Sequence, residues 1–190
     1  MTFHPMPAFP TARRAAALTL CCAAMLAALP APAWAQPGAS AAAASAASAP
    51  VLLPAIEGKT IDGVDFSLAA LKGKVVLVMF WSTGCAVCRD KMPELRTNYQ
   101  GWNGKPFELV AISTDTRAQD LLDYERIISR TVPMKQRFVQ LWNGESAYRD
   151  NLAKPAQLPM AYLLDKSGKV VERYSGRIPA EAWDRIADLL

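Results

Sequence analysis

From residue 51 onward, apolar positions alternate between two rhythms. Residues 74–81, KVVLVMFW, form an unbroken valine-rich run, the pattern of a central strand buried on both faces. Residues 107–113, FELVAIS, repeat it, and residues 137–142, RFVQLW, give a weaker third strand. MAYLLD (160–165) and KVVERYS (169–175) flank Lys166-Ser167-Gly168, which predicts an antiparallel hairpin. Helical spacing fills the intervals. Positions 85, 88, 92, 95 and 99 of CAVCRDKMPELRTNYQ share one face. Thr116 and Gln119 make a candidate capping box ahead of DLLDYERIIS. Pro179 opens a last amphipathic helix, with Trp183, Ile186, Ala187 and Leu190 expected inward. Strand, helix, strand, helix, strand, hairpin, helix predicts an α/β domain, a mixed central sheet with helices on both faces.

Upstream of that domain the pattern changes twice. Arg13 and Arg14 precede the apolar stretch 15–29, and Pro30, Pro32 and Ala33-Trp34-Ala35 follow it. That order predicts a secretory signal peptide over residues 1–35, cleaved after Ala35. The stretch is short for a membrane span, which needs about 20 residues; uncleaved, it would act as an anchor. Residues 36–50, QPGASAAAASAASAP, carry no charge, aromatic or branched aliphatic side chain. Such a segment buries too little apolar surface to offset its ordering entropy and is expected to be a disordered linker. The domain is placed at 51–190, and export predicts a periplasmic location. A net charge of +4 without a basic cluster argues against nucleic acid.

Cleavage after Ala35 removes His4, the only histidine, together with Cys21 and Cys22. The exported chain then keeps two cysteines, Cys85 and Cys88. Structural zinc needs four ligands, and a cysteine protease needs a base, usually histidine. A disulfide across so short a loop removes little unfolded-state entropy, so it is a poor staple. A redox role fits the placement. Cys85 follows a buried strand and opens a helix, where the dipole and free N–H groups lower a thiol pKa. Cys88 lies one turn on, placed to resolve a mixed disulfide.

The joint pattern of LKGKVVLVMFW, CAVCRDKMPEL and QLPMAYLLDKSGKVVERYSG resembles the thioredoxin superfamily, and within it the exported TlpA/ResA-type thiol-disulfide oxidoreductases. The resemblance covers residues 51–190 and implies a thioredoxin-like fold. It implies a cis peptide at Pro159, with the Leu158 backbone pairing with a client chain in β fashion. Trp81 and Gly84 complete the substrate-contacting set that it implies. It calls for no cofactor beyond the Cys85–Cys88 disulfide and no metal. Its partners are client proteins with disulfides or exported cysteines and a membrane electron donor of the DsbD/CcdA type; the chain itself is expected to be a monomer.

Several positions depart from the family. Gly84 stands where Trp usually precedes the first cysteine, leaving a more open approach. Met79 stands where thioredoxin has a buried Asp, and Lys91 where TlpA/ResA-type proteins usually have a buried Glu. Asp90 is expected to face outward, and Glu94 is a candidate replacement acid. Lys91 is expected to be a solvated side chain, the alternative being a charge that stabilises a nearby thiolate. Tyr99, Trp102 and Trp142 are expected in the core or its rim, the alternative being a recognition groove. Ala86-Val87, between the cysteines, holds no charge, which favours a reductase or isomerase over an oxidase. Two rival functions stay open. One is a peroxiredoxin-type thiol peroxidase, whose usual Pro-x-x-x-Thr-x-x-Cys motif is absent. The other is a dithiol Cu(I)-binding or chaperone module, for which two thiolates suffice.

Overall fold

The computed structural model describes residues 53–190, so the predicted signal peptide and linker lie outside the described residues. The chain opens with β1 (Ile56–Lys59), β2 (Asp65–Ser67) and a one-turn 3-10 helix, Leu68–Leu71. Then follow β3 (Val75–Trp81), α1 (Ala86–Gly101), β4 (Phe107–Ser113), α2 (Ala118–Thr131) and β5 (Val139–Trp142). The remainder is β6 (Arg149–Asp150), β7 (Met160–Leu164), β8 (Val170–Ser175) and α3 (Glu181–Leu189).

The main sheet has the order β5-β4-β3-β7-β8. Strands β3, β4 and β5 run parallel, while β7 is antiparallel to both β3 and β8. The sheet is mixed, as its sequence pattern predicts. Successive steps β3–α1–β4 and β4–α2–β5 move the same way across the sheet. Right-handed crossovers therefore place both helices on one face.

Alternation along β3 assigns its side chains to two cores. Val75, Leu77, Met79 and Trp81 join Cys88, Met92 and Leu95 of α1, Leu121 of α2, and Ala182 and Ile186 of α3. Val76, Val78 and Phe80 face the other way, against Ile56, Leu68, Tyr148 and Tyr162. All three α-helices thus contribute to the first core. The second face carries the Leu68–Leu71 turn and a three-stranded sheet of order β2-β1-β6 instead of a long helix. These strands of 4, 3 and 2 residues are too short for a readable alternation.

Two local expectations are corrected. The Thr116–Gln119 capping box does not form: α2 starts at Ala118, with Arg117 at the N-cap and no side-chain cap. Arg117 pairs with Asp120, whose charge complements the helix N-terminus, and Gln119 turns one turn forward to Asp123 at 2.8 Å. In α3, Ala187 is exposed. The inward stripe runs through Ala182 and Ile186 to Leu189 and Leu190, with Trp183 at its edge. Leu77 is wholly buried at the centre of β3. Leu77→Ala is expected to cost about 2–5 kcal/mol of stability in urea unfolding, through lost burial and an unfilled cavity.

Candidate redox site

Strand β3 delivers the chain to the site. After Trp81 it turns through Ser82, Thr83 and Gly84, closed by a hydrogen bond from Cys85 N–H to the Ser82 carbonyl at 3.1 Å. Cys85 is the N-cap of α1, and its sulfur accepts from the Cys88 N–H at 3.1 Å. The cysteine itself thus satisfies one of the helix's orphan donors. The two cysteines are joined as a disulfide, with their Cα atoms 5.2 Å apart. Cys85 is partly exposed, whereas Cys88 is wholly buried against Met92 and Leu95. An attacking partner therefore reaches only the Cys85 sulfur.

The loop ahead of Cys85 is clamped by Asp115, just beyond β4. The Asp115 carboxylate accepts from the Thr83 backbone N–H at 3.0 Å, the Thr83 hydroxyl at 2.8 Å and the Ser113 hydroxyl at 2.7 Å. Its backbone carbonyl accepts from the Trp142 indole at 2.7 Å. Thr114 N–H reaches the Trp81 carbonyl at 2.8 Å. Asp115 gave no signal in the sequence, because its partners are a loop residue and a strand end that only the parallel pairing of β3 and β4 brings together.

Across the site, the Leu158–Pro159 peptide bond is cis. Phe80 of β3 pairs with Met160 of β7, so this loop lies at the same end of the sheet as the segment leading to Cys85. Pro159 is buried and its carbonyl accepts from Gly176 N–H at 2.8 Å. Leu158 is partly exposed, and among the described residues its backbone N–H and C=O have no hydrogen-bond partner. Beside it lies a groove of about 540 Å³, lined by Phe80, Thr114, Asn143, Tyr148, Lys154 and Leu158. Gly84 is exposed, and a Cβ built on it would meet only the Ser82 hydroxyl, at 4.0 Å. The approach to Cys85 is open, as the sequence suggests.

Trp81 is corrected from a substrate contact to a support. It is wholly buried, with its ring edge-on to Tyr124. Its indole donates to the Gln140 amide oxygen at 3.2 Å, and the Gln140 amide donates to Glu125 at 3.1 Å. Burial pushes the Glu125 carboxyl above its usual value, against the pull of Arg96 and Arg137. Its place on α2, remote in sequence from the cysteines, hid it from motif reasoning.

Lys91 is likewise corrected. It is only 4% exposed, not solvated. Its ammonium bonds Glu94 at 2.7 Å and lies 5.9 Å from the Trp183 ring centroid. The Trp183 indole also donates to Glu94. Partial burial alone would raise the Glu94 carboxyl, but the hydrogen bonds from Lys91 and Trp183 hold it below its usual value. Helix α3 covers the long Lys91 stem and supplies the aromatic face that makes burial tolerable. Asp90 faces outward and pairs with Arg177 at 2.6 Å. Met79 is wholly buried. Trp102 packs on Phe107 and Trp183, Tyr99 donates to Glu108 at 2.8 Å, and Trp142 bonds Asp115; all three flank the core.

The profile described as the AhpC/TSA family matches residues 51–184. The chain is similar to the thiol-disulfide oxidoreductase ResA of Bacillus cereus, 31% identical over 116 residues, which covers 61% of this chain and 63% of that protein. It therefore spans less than two thirds of that relative's length. It is also similar to the thioredoxin-like protein YneN of Bacillus subtilis, 27% identical over 69% of this chain and 74% of that one. Among solved structures, the thioredoxin domain of a thiol-disulfide oxidoreductase from Bacteroides vulgatus superposes with a TM-score of 0.54. It shows 26% identity and covers 72% of this chain and 93% of that domain. The fold is thioredoxin-like.

Asp115→Ala leaves the buried-end donors of Thr83 and Ser113 unpaired and is expected to cost about 1–3 kcal/mol in denaturant unfolding of the oxidised protein. Asp115→Asn keeps acceptor capacity and is expected to lose less. For Glu125, the folded-state pKa is raised, so ionisation opposes folding. The penalty is absent below the unfolded-state pKa and complete above the folded-state value. Glu125→Gln is therefore expected to unfold at higher urea than the parent at pH 7, with the gap closing as the pH falls through the carboxylate range.

Proposed function

Because the chain belongs to the AhpC/TSA family, we propose that it is a protein thiol-disulfide oxidoreductase whose redox centre is the Cys85–Cys88 pair. One observation carries this reading: a partly exposed Cys85 at a helix N-cap is bonded to a wholly buried Cys88. A structural staple has no need of this asymmetry, whereas a two-step exchange does. The relatives named as thiol-disulfide oxidoreductases support it.

In the reducing direction the Cys85 thiolate attacks a client disulfide. One client sulfur leaves as a thiolate and the other stays bonded to Cys85. The Cys88 thiolate then attacks the Cys85 sulfur, expelling the second client thiolate. The two electrons pass to the client, and the protein is left with the disulfide seen in the structure. The N-terminal dipole and the remaining free N–H groups of α1 stabilise the Cys85 thiolate both as nucleophile and as leaving group. The unpaired Leu158 backbone is suited to hold an extended client segment by β-addition, with its side chains directed along the neighbouring groove. No cofactor is required, since the cysteine pair carries the electrons. A signal peptide over residues 1–35 would place the reaction in the periplasm, and regeneration would fall to a membrane donor of the DsbD/CcdA type. The uncharged Ala86-Val87 dipeptide argues for reduction or isomerisation of clients.

The test is disulfide exchange by the reduced full chain on a protein disulfide such as insulin. The parent is expected to reduce it. Cys85→Ser is expected to be inert, and Cys88→Ser is expected to accumulate a mixed disulfide at Cys85 that the parent does not. Peroxide consumption without disulfide exchange would support the peroxidase instead. Tight Cu(I) binding, lost in Cys88→Ser, without exchange in the parent would support the metal-binding module.

A further inference from the structure

Arg89 follows the buried cysteine and has no part in the exchange chemistry described above. Its backbone N–H donates to the Cys85 carbonyl at 3.1 Å, the i to i+4 bond of the first helical turn. Its side chain runs back toward the helix N-terminus, and its guanidinium donates to the carbonyl of Thr83. The side chain starts four residues after Cys85 and ends on a residue two before it. Backbone and side chain of Arg89 thus engage the chain at Cys85 and at Thr83, on the segment that carries the nucleophile. That course is the ordinary one for a long helical side chain, which covers the turn N-terminal to its own Cα.

Two of the neighbouring charges are already paired. On α1, Asp90 is paired with Arg177 and Lys91 with Glu94. Beyond β4, the Asp115 carboxylate accepts only from neutral donors, the Thr83 N–H and hydroxyl and the Ser113 hydroxyl, so its negative charge stays on the loop and opposes part of the Arg89 field. Among the described residues, Arg89 forms no salt bridge; its partner is a neutral carbonyl. Its positive charge is therefore held on the loop that leads into the partly exposed Cys85, two residues before it, with Asp115 as the facing carboxylate. Lys91, the other cation near the pair, is neutralised by Glu94 and turned toward α3.

We propose that Arg89 is the side chain that holds Cys85 as a thiolate, adding a formal charge to the partial charge of the helix N-terminus. It is a positioning and electrostatic residue, not a reacting one. This rests on the oxidoreductase reading for its purpose, because a lower Cys85 pKa speeds both attack on a client and departure from the mixed disulfide. The same guanidinium, fixed on Thr83, also borders the open approach above Gly84. Because Arg89 is exposed, its field is screened by salt.

The experiment measures alkylation of Cys85 by iodoacetamide against pH. The reduced full chain in the Cys88→Ser background is used, with the Cys85 peptide read by mass spectrometry. Arg89→Gln is expected to raise the Cys85 pKa by about half a unit, so alkylation at pH 6 slows about threefold. Arg89→Lys is expected to keep most of the parent rate, because it keeps the charge. High salt is expected to slow the parent and leave Arg89→Gln unchanged. A parent-like pKa in Arg89→Gln would overturn the proposal. So would equal losses in Arg89→Lys and Arg89→Gln, since only the Thr83 tether would then matter. Alkylation needs no client and no electron donor, so its outcome is separate from that of the insulin test. Exchange activity can fail while the Arg89 effect holds, and the reverse.

Discussion

Strand β3 is buried along its whole length between two apolar layers, and the rest of the molecule is arranged by that constraint. Its odd positions face the three α-helices and its even positions face the small sheet. Its backbone is bonded to β4 on one side and β7 on the other. A strand so enclosed cannot shift register, because a slip of one residue would exchange its two faces. Its C-terminal end is therefore a fixed point, and Cys85 lies four residues beyond it. The pairing with β7 brings the cis Leu158–Pro159 bond to the same end, and the pairing with β4 brings Asp115 to the loop.

The site is rigid beneath and open above. Asp115, Trp142 and Thr114 hold the Ser82–Gly84 segment to the end of β4. Cys88 is sealed by the helix-side core. What remains accessible is the Cys85 sulfur, the bare backbone at Gly84, the unpaired backbone of Leu158 and the adjoining groove. On the proposed reading, a nucleophile set in that way is suited to extended chains, because the surface around it is mainly backbone and offers little side-chain specificity. The polar network through Trp81, Gln140 and Glu125 lies below this layer and serves the packing of α2 against the sheet.

Much of this was legible in the residues. The valine-rich run of β3 and the matching run of β4 carry strong signals and became the expected strands, and Lys166-Ser167-Gly168 became the turn between β7 and β8. The pairing of Cys85 with Cys88 was readable from their spacing at the junction of a buried strand and a helix. The failures have particular causes. Lys91 was expected in solvent because lysine usually is, yet α3 covers its stem and Glu94 and Trp183 meet its charge, a three-body arrangement no local pattern encodes. Trp81 was assigned a substrate contact, but it closes β3 with its side chain in the helix-side core. The small sheet of β1, β2 and β6 joins segments about 90 residues apart through strands too short to announce themselves. Asp115 and Arg89 matter through what they touch, and that is set by the fold.

The most direct test of the central claim is the equilibrium of the Cys85–Cys88 couple against glutathione. A reversible two-electron couple near or below about −250 mV, at the thioredoxin end of the scale, is the predicted result and describes a reductant needing its own electron supply. A value near about −120 mV would contradict the direction assigned here, describing an oxidant of exported chains. Absence of any reversible disulfide would contradict the redox centre itself.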